Sequence, residues 1–212
     1  MSERYTRQLD IINQEQLNFP IHVIGAGGIG SWTALLLAKM GCPDISVYDD
    51  DIVEDHNVAS QFFDYNQLGM LKTEASRNNI EKQTGIFIHP KHNIDEEQIT
   101  EGLVIIAIDS MQERHRLASI YKERNLYIID GRMGGLQLEI YCVPSSTYVA
   151  TLVNPQDVSP DACTARSICF NCAVIGGLIA NFVRQFAKKE LANQELTFGF
   201  NTLSLLKKTY EI

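Results

Sequence analysis

Basic residues are scarce in this sequence, and none of them forms a long run. Lysine and arginine together number 18 against 26 aspartates and glutamates, which gives a net charge of −8 over 212 residues. The longest basic stretches are the pairs Lys188-Lys189 and Lys207-Lys208. Because an acidic surface repels phosphate groups, we expect neither nucleic acid nor an anionic membrane as a partner.

Long apolar runs are also missing, and the first residues do not have the pattern of a secretory leader. No stretch approaches the roughly 18 uninterrupted apolar residues that predict a membrane-spanning helix. The first residues, MSERYTRQLD, lack the apolar core of a signal peptide. The 5 cysteines are odd in number and irregularly spaced, which is typical of reduced thiols. We therefore expect a cytoplasmic protein without a membrane segment.

Internal repeats, low-complexity tracts and flexible linkers are absent as well. Apolar residues make up 45% of the chain and charged residues 21%, a balance that excludes a disordered chain and provides for a packed core. We predict a single domain over residues 1–212.

Short apolar runs alternate with segments of helical periodicity through the first two thirds of the chain. The predicted strands cover residues 19–24, 45–48, 86–89, 103–108 and 126–129. The predicted helices between them cover residues 32–40, 72–83 and 112–124. Such alternation builds βαβ units with right-handed crossovers. The pattern predicts an α/β fold with a doubly wound, Rossmann-like, mostly parallel sheet.

The pattern changes towards both ends of the chain. Residues 136–143 alternate between apolar and polar, which is typical of an exposed antiparallel strand. Residues 173–187 predict an apolar helix, and residues 196–210 predict a terminal hairpin. We therefore expect a C-terminal antiparallel extension of the sheet. The polar first 18 residues predict a short helix.

The strongest local motif is the glycine-rich segment GAGGIG, which follows a predicted strand and precedes a helix. Gly25, Gly27, Gly28 and Gly30 let the backbone turn tightly and approach phosphate groups at a helix N-terminus. Asp49, 19 residues after Gly30, ends the next strand and is placed to accept hydrogen bonds from ribose hydroxyls. The motif predicts a nucleotide site without distinguishing NAD, FAD, S-adenosylmethionine and ATP.

A longer series of motifs narrows this choice. It comprises Arg4-Tyr5-x-Arg7-Gln8, Asp49-x-Asp51-x-Val53, Asn57-x-x-x-Gln61, Gly69-x-x-Lys72, and the strand LVIIAI ending at Asp109 with Arg114 in the next helix. In this order and spacing the chain resembles the ThiF/MoeB/ubiquitin-activating (E1-like) superfamily. The resemblance implies an adenylation domain that activates the C-terminal carboxylate of a ubiquitin-like protein, a sulfur-carrier protein or a peptide.

The resemblance also implies ATP and Mg²⁺ as cofactors and gives individual residues roles. Lys72 would bind the ATP phosphates, and Asp109 would hold Mg²⁺ or orient the acceptor's C-terminus. Asp51, Asn57 and Gln61 would belong to the nucleotide pocket. The simpler alternatives are a solvated lysine at Lys72 and an N-cap role for Asp109.

Two arginines receive roles by the same resemblance. Arg7 matches an N-terminal arginine that reaches the partner subunit's phosphates in dimers of the family, which implies a homodimer. Arg132 lies in the segment DGRMGG, which faces the acceptor's C-terminal tail in the family. For Arg7 the alternative is a surface salt bridge.

One position departs from the pattern of the family. Ser60 stands where a phosphate-binding arginine is expected, and a serine cannot offer a phosphate a charged, bidentate fork. Either Arg7, Arg114 or Arg132 takes over this contact, or the protein is a nucleotide-binding partner without catalysis.

The cysteines divide into a pair and a candidate nucleophile. Only Cys169-x-x-Cys172 has the spacing of a zinc half-site, and no second pair exists, so we expect no structural zinc and two buried thiols. Some members of the family form a thioester on a cysteine in the loop after the last adenylation strand, and this resemblance makes Cys163 a candidate. A cation as near as Arg166 would lower the pKa of its thiol and make it more nucleophilic.

Three functions remain open from the sequence. The first is an ATP-dependent adenylyltransferase of the E1-like kind, and the second is a non-catalytic partner of the same fold. The third is an NAD-dependent oxidoreductase, which only the glycine motif and Asp49 support, since it leaves Lys72 and Asp109 without a role.

Overall fold

The computed structural model describes residues 3–93, 99–154 and 167–210, in which eight strands form one sheet. The strands are β1 (Ile21–Ile24), β2 (Ile45–Tyr48), β3 (His89–Lys91), β4 (Leu103–Ile106), β5 (Tyr127–Gly134), β6 (Gln137–Pro144), β7 (Gln194–Gly199) and β8 (Ser204–Thr209). The α-helices are α1 (Gly28–Met40), α2 (Asp55–Val58), α3 (Lys72–Thr84), α4 (Met111–Tyr121), α5 (Ser145–Tyr148) and α6 (Cys169–Ala187). Short 3-10 helices cover Glu3–Gln8, Glu15–Leu17, Tyr65–Gln67 and Val149–Thr151.

The sheet has the strand order β3-β2-β1-β4-β5-β6-β7-β8. Strands β1 to β5 run parallel, whereas β6, β7 and β8 each pair antiparallel with the preceding strand. The predicted doubly wound sheet with an antiparallel extension is confirmed. Because the chain leaves β1 first towards β2 and later towards β4, a crevice opens at their carboxyl ends, where such folds bind ligands.

The core lies on both faces of the sheet. Along β4, Leu103 and Ile105 pack into a cluster with α1 and α6, while Val104 and Ile106 pack into a second cluster with α4. All four side chains are fully buried. A strand covered by helices on both faces is apolar at every position, which explains the continuous run LVII.

Several predicted boundaries differ from the structure. The first 18 residues form two 3-10 helices in place of one longer helix, and α1 begins at Gly28, four residues earlier than predicted. Strand β3 covers His89–Lys91, where residues 86–89 were expected. Strand β5 continues to Gly134 because it pairs with β6 through a tight turn, in which Gly135 has a φ of 59°. Glycine-rich segments therefore led to predictions of α1 and β5 that are too short, and tertiary contacts extend both elements.

Helix α6 is the one helix of the described residues that is long and apolar enough to cross a membrane, with a mean hydropathy of 1.2. In the structure its residues Ile175, Ile179 and Val183 are fully buried against α1 and the sheet. A Cβ atom at Gly176 would lie 3.1 Å from the Cβ atom of Trp32, so the two helices approach closely. The apolar character of α6 is thus used for packing within this domain.

The glycine loop is joined to α1 by a very close contact at Gly30. A Cβ atom at Gly30 would lie 1.8 Å from the carbonyl oxygen of Gly25. We expect Gly30→Ala to reduce the free energy of unfolding by about 1–3 kcal/mol, measured by urea denaturation, because the loop must move to admit the methyl group.

Gly177 provides the matched control for this substitution. It lies in α6, and no atom stands within 4 Å of its Cβ position. Gly177→Ala should stabilise the protein by about 0.5–1 kcal/mol, since alanine is the better helix former. Equal effects of the two substitutions would contradict the steric argument.

Candidate functional site

A cavity of about 1170 Å³ opens at the carboxyl ends of β1, β2, β4 and β5. Its walls come from the glycine loop, the segments that follow β2 and β4, the start of α3 and the end of β5. The lining residues that matter for its chemistry are Gly25, Gly27, Gly28, Asp49, Asp50, Asp51, Ser60, Gln61, Lys72, Asp109, Arg114, Arg132 and Ser167. Gly30 and Asn57 lie behind this wall, and Arg7 lies elsewhere.

Asp49 fixes the glycine loop from the end of β2. Its Oδ2 accepts a hydrogen bond of 2.6 Å from the amide of Ala26, and its Oδ1 accepts one of 2.9 Å from the amide of Asp51. Burial raises the pKa of this carboxyl, while the two amides and nearby Lys72 act in the opposite direction. Each oxygen keeps a further lone pair for a ligand. Its predicted contact with ribose hydroxyls stays a prediction.

Gly25 needs to be glycine for two reasons. Its φ is 96°, a left-handed conformation that other residues rarely adopt, and a Cβ atom would lie 2.4 Å from the carbonyl oxygen of Ala107. The backbone of the loop therefore stands directly against the end of β4. This close approach leaves the amides at the start of α1 at the cavity wall.

Lys72 is the first residue of α3 and is not a solvated lysine. Its side chain is 9% exposed, and Nζ lies 2.7 Å from Oδ2 of Asp51, which is 69% exposed. The backbone amide of Lys72 also donates to the carbonyl oxygen of Asp51, at 2.9 Å. The ammonium group is therefore held at the cavity by a partner that water can reach, so a competing anion can take its place.

Gln61 and Asn57 have different positions in the site. Gln61 lines the cavity, and its Oε1 is buried without a hydrogen-bond partner among the described residues. Asn57 is buried, and its Oδ1 accepts a hydrogen bond of 2.8 Å from the amide of Glu54 as part of the capping box of α2. Asn57 thus positions the segment that carries Gln61, and its direct contact with a nucleotide stays a prediction.

Ser60 faces the cavity as a neutral, buried side chain. Its Oγ accepts a hydrogen bond of 3.2 Å from the hydroxyl of Ser167, at the start of the segment that leads into α6. Its carbonyl oxygen accepts a bond of 2.9 Å from the indole of Trp32. The position expected to hold an arginine therefore contributes no positive charge to this wall.

Asp109 is exposed and lines the cavity just beyond β4. The N-cap of α4 is the next residue, Ser110, whose Oγ accepts a hydrogen bond of 3.2 Å from the amide of Glu113. The alternative role of Asp109 as an N-cap is therefore wrong. Its carboxylate stays free of that helix, and its role as a metal ligand stays a prediction.

Arg7 lies at the opposite end of the domain from the cavity. It is exposed, and its neighbour Gln8 donates a hydrogen bond of 2.7 Å to the carbonyl oxygen of Met40, at the end of α1. Since α1 has 13 residues and begins at the cavity, this end is about 20 Å away. Arg7 is therefore far from the cavity of its own chain.

The cysteines differ from the expectation in one respect. Cys172 is buried against the glycine loop, with Sγ 3.0 Å from the Cβ position of Gly28, and burial raises the pKa of its thiol to about 11. Cys169 is exposed, so the expectation of two buried thiols is correct only for Cys172. Cys163 and Arg166 lie outside the described residues.

A buried charged network beside the cavity was missed in the sequence. Asp130 is fully buried in β5, its Oδ1 accepts a bond of 3.1 Å from Nε of Arg114, and its Oδ2 accepts one of 2.8 Å from Nε of Arg132. The hydroxyl of Tyr148 donates to the same Oδ2 at 2.9 Å. An aspartate inside an apolar strand, with arginine two residues later, was the available signal, since buried charges need partners.

We expect this network to matter for stability. Asp130→Ala should reduce the free energy of unfolding by about 3–5 kcal/mol, because it leaves two buried guanidinium groups without a counter-charge. Tyr148→Phe, which removes one hydrogen bond, should cost about 0.5–1.5 kcal/mol. Urea denaturation measures both. Glu190→Ala, which removes an exposed partner of Arg184, should change nothing measurable.

The fold and the cavity define a Rossmann-like, nucleotide-binding type of domain with its site at the switch point of the sheet. The sequence profile of the ThiF family matches residues 5–212. The chain therefore belongs to the ThiF family.

Curated relatives agree with this assignment. Ubiquitin-like modifier-activating enzyme 5 of Caenorhabditis elegans is 24% identical over 216 aligned positions, which cover 87% of this chain and 51% of that protein. Adenylyltransferase and sulfurtransferase UBA4 of Saccharomyces cerevisiae is 36% identical over 88 positions, which cover 38% of this chain and 20% of that protein. The chain thus spans about half the length of the first relative and less of the second.

Solved structures share the fold at low sequence identity. Escherichia coli MccB, crystallised with AMPCPP and MccA, superposes with a TM-score of 0.80 at 19% identity and covers 98% of this chain and 71% of its own. PaaA superposes with a TM-score of 0.76 at 17% identity, over 98% of this chain and 72% of its own. The agreement extends from the parallel sheet to the antiparallel extension.

Proposed function

We propose that this chain is an ATP-dependent adenylyltransferase that activates the C-terminal carboxylate of a ubiquitin-like protein, a sulfur-carrier protein or a peptide. One observation carries the proposal: a single cavity brings together the glycine loop, buried Lys72 and exposed Asp109. Relatives named as activating enzymes and an adenylyltransferase support it. A solved complex of MccB with ATP, which has the same fold, supports ATP as the nucleotide.

Other residues in the walls of the cavity are also suited to contact a nucleotide. Asp49 keeps lone pairs for ribose hydroxyls, and the unpartnered Oε1 of Gln61 can accept a hydrogen bond from a ligand. The backbone at Gly27 is open towards the cavity, since the nearest atom to its Cβ position is Nε2 of Gln61 at 4.0 Å. Helix α1 begins here, and the free amides of its first turn can donate hydrogen bonds to an anionic group of a ligand.

The reaction needs an attacking carboxylate to reach the α-phosphorus while pyrophosphate leaves. Lys72 would stabilise the negative charge that builds on the phosphate oxygens, after exchanging Asp51 for the ligand. Glycine-loop amides and Asp49 would hold the nucleotide still, which lowers the entropic part of the barrier. The acceptor's carboxylate would enter past Asp109, on the open side of the cavity.

The acidic residues of the cavity fit Mg²⁺ chemically. Mg²⁺ prefers carboxylate oxygens and phosphates, and Asp109 lies in the cavity with an exposed carboxylate. The carboxylates of Asp49, Asp50 and Asp51, which follow β2, lie within 4.8 Å of one another. When bound, the ion would neutralise charge on the phosphates. We propose Asp109 as its protein ligand.

A nucleotide-binding partner without catalysis is the second candidate. The observation that favours it is Ser60, which leaves one wall of the cavity without a positive charge. Such a protein would bind ATP and form no acyl-adenylate. The oxidoreductase alternative has no support from the family or its relatives and is not retained.

Lys72→Ala tests the proposal directly. We expect the variant to fold but to stabilise the reacting phosphates less, by about 2–4 kcal/mol. The rate of ATP–pyrophosphate exchange should therefore fall by about 30- to 900-fold. The exchange is measured with small proteins that end in Gly-Gly as acceptors, and intact mass identifies the acyl-adenylate.

NADP, which carries a 2′-phosphate that Asp49 should repel, should not bind.

Lys82→Ala is the control, since Lys82 lies in the last turn of the same helix, away from the cavity. Wild-type protein that binds ATP and forms no acyl-adenylate would favour the non-catalytic partner. Tight binding of NADP with no binding of ATP would refute both candidates.

We also propose a homodimer in which Arg7 reaches the nucleotide of the other subunit. Arg7 is exposed and about 20 Å from its own cavity, so any contact with a nucleotide must be made across an interface. A two-fold interface would supply one such arginine to each cavity. This arginine would add positive charge to a cavity in which Ser60 supplies none.

Mixing two variants tests this arrangement. Arg7→Ala and Lys72→Ala should each be dimeric and impaired, because each cavity then lacks one cation. A mixture should regain part of the exchange activity, since heterodimers contain one cavity with Lys72 and the partner's Arg7 intact. Sedimentation verifies dimers and subunit exchange. A monomer, or no recovery after verified exchange, would show that Arg7 does not act across an interface.

A further inference from the structure

The cations that line the cavity differ in how their charge is balanced. Lys72 faces Asp51 at 2.7 Å, so that pair has no net charge. Arg116 is matched in the same way by Glu113, with Nε 2.9 Å and 2.8 Å from the two carboxylate oxygens. Both pairs can exist without any ligand.

Arg114 and Arg132 share a single carboxylate. Asp130 is 0% exposed, and the side chains of Arg114 and Arg132 are 5% and 13% exposed. Tyr148, the third partner of Asp130, donates a hydroxyl hydrogen bond and adds no charge. Two guanidinium groups on one carboxylate leave one net positive charge that is largely removed from water. Since an uncompensated buried charge is unfavourable, this cluster favours the binding of an anion.

The cluster also has N–H donors that its own hydrogen bonds do not use. Nη2 of Arg114 donates to the carbonyl oxygens of Ile108 at 2.7 Å and Gly131 at 3.2 Å. Its Nη1 makes no hydrogen bond to any residue in the described part of the chain, although the arginine lines the cavity. An arginine carries five N–H groups, so both N–H groups on Nη1 can serve a ligand.

Arg132 is held rigidly where β5 ends at the cavity. Its Nη1 and Nη2 donate to the carbonyl oxygen and hydroxyl of Thr151, at 3.0 Å and 3.1 Å. Its guanidinium carbon lies 4.0 Å from the centre of the Tyr141 ring, which is the geometry of a cation–π contact. A cation fixed in this way loses little further freedom on binding an anion.

The acids of the cavity do not neutralise this charge. Asp109, Asp50 and Asp51 are exposed, so water and salt screen their carboxylates. The partly buried Asp49 accepts hydrogen bonds from two backbone amides at the end of β2, and among the described residues it forms no ion pair with either arginine. On the wall formed by Ser60 and Ser167, two hydroxyl groups bond to each other and carry no charge. Among the described residues, Asp130 is therefore the one carboxylate within ion-pair distance of Arg114 and Arg132.

We infer that Arg132 and Arg114, oriented by Asp130, form an anion subsite of the cavity that binds an oxyanion of the phosphate or carboxylate kind. The inference rests on the proposed function for its two candidate sources, which are the nucleotide's phosphates and the acceptor's C-terminal carboxylate. Arg114 and Arg132 act as binding residues, and Asp130 acts as a positioning residue.

Two pairs of probes distinguish the sources. ATP and adenosine differ in the phosphates, and N-acetylglycylglycine and its C-terminal amide differ in the carboxylate. Calorimetry measures the nucleotides, and NMR titration measures the peptides. In Arg132→Gln, one anionic probe should bind about 10- to 100-fold more weakly, because one charged hydrogen bond is lost. The affinity of its neutral counterpart should be unchanged. The probe that weakens identifies the source.

Two further variants keep the test decisive. Arg132→Lys preserves the charge without the planar fork and should lose less affinity than Arg132→Gln, and it provides the test if Arg132→Gln does not fold. Arg184→Gln, which breaks a pair with Glu190 outside the cavity, should leave all four probes unaffected.

The outcomes separate this inference from the proposed function. If wild-type protein binds ATP and the Arg132 variants weaken neither anionic probe, the subsite is refuted and the proposed function is untouched. Equal weakening of anionic and neutral probes also refutes the subsite, since it indicates a structural role. If wild-type protein binds none of the four probes, both proposals fail.

Discussion

The site depends on one close contact, the approach of the glycine loop to the carboxyl end of β4. Gly25 stands so near Ala107 that no side chain fits, and Gly30 stands even closer to Gly25. Asp49 then accepts a hydrogen bond from Ala26 and fixes the loop to the end of β2. Three neighbouring strands are thereby aligned at one edge, which creates the cavity and directs the amides of α1 into it. The other side chains of the site are placed by this frame.

Charge is distributed unevenly around that frame. Lys72 is paired with an exposed aspartate, which water and a ligand can replace, whereas Asp130 is buried between two arginines and a tyrosine. The first arrangement is easily opened, because screening weakens an exposed pair. The second is rigid, and its excess positive charge remains when no ligand is present. A cavity with one exchangeable and one fixed cationic centre suits a reaction between two anions.

Ser60 connects the two proposals about phosphate binding. A neutral residue at that position supplies no positive charge to the cavity, and the two proposals name two other sources of such a charge. One is Arg7, which is exposed and far from its own cavity and so would act only through the proposed second subunit. The other is the cluster around Asp130, which is complete within one chain. The two sources are compatible, since one is supplied at an interface and the other at the end of β5.

The sequence by itself determined the fold class and the nucleotide motif, because local patterns encode them. The family resemblance added several cavity residues, among them Lys72 and Asp109. Alternating apolar runs give the strand and helix order, and glycines mark the loop. The tertiary structure alone decided which groups these side chains contact. Asn57 caps α2, Ser110 caps α4 where Asp109 was considered, and Tyr148 donates a hydrogen bond to Asp130. Such contacts join residues distant in sequence or depend on exact helix ends. No local pattern specifies them, since they follow from how the elements pack.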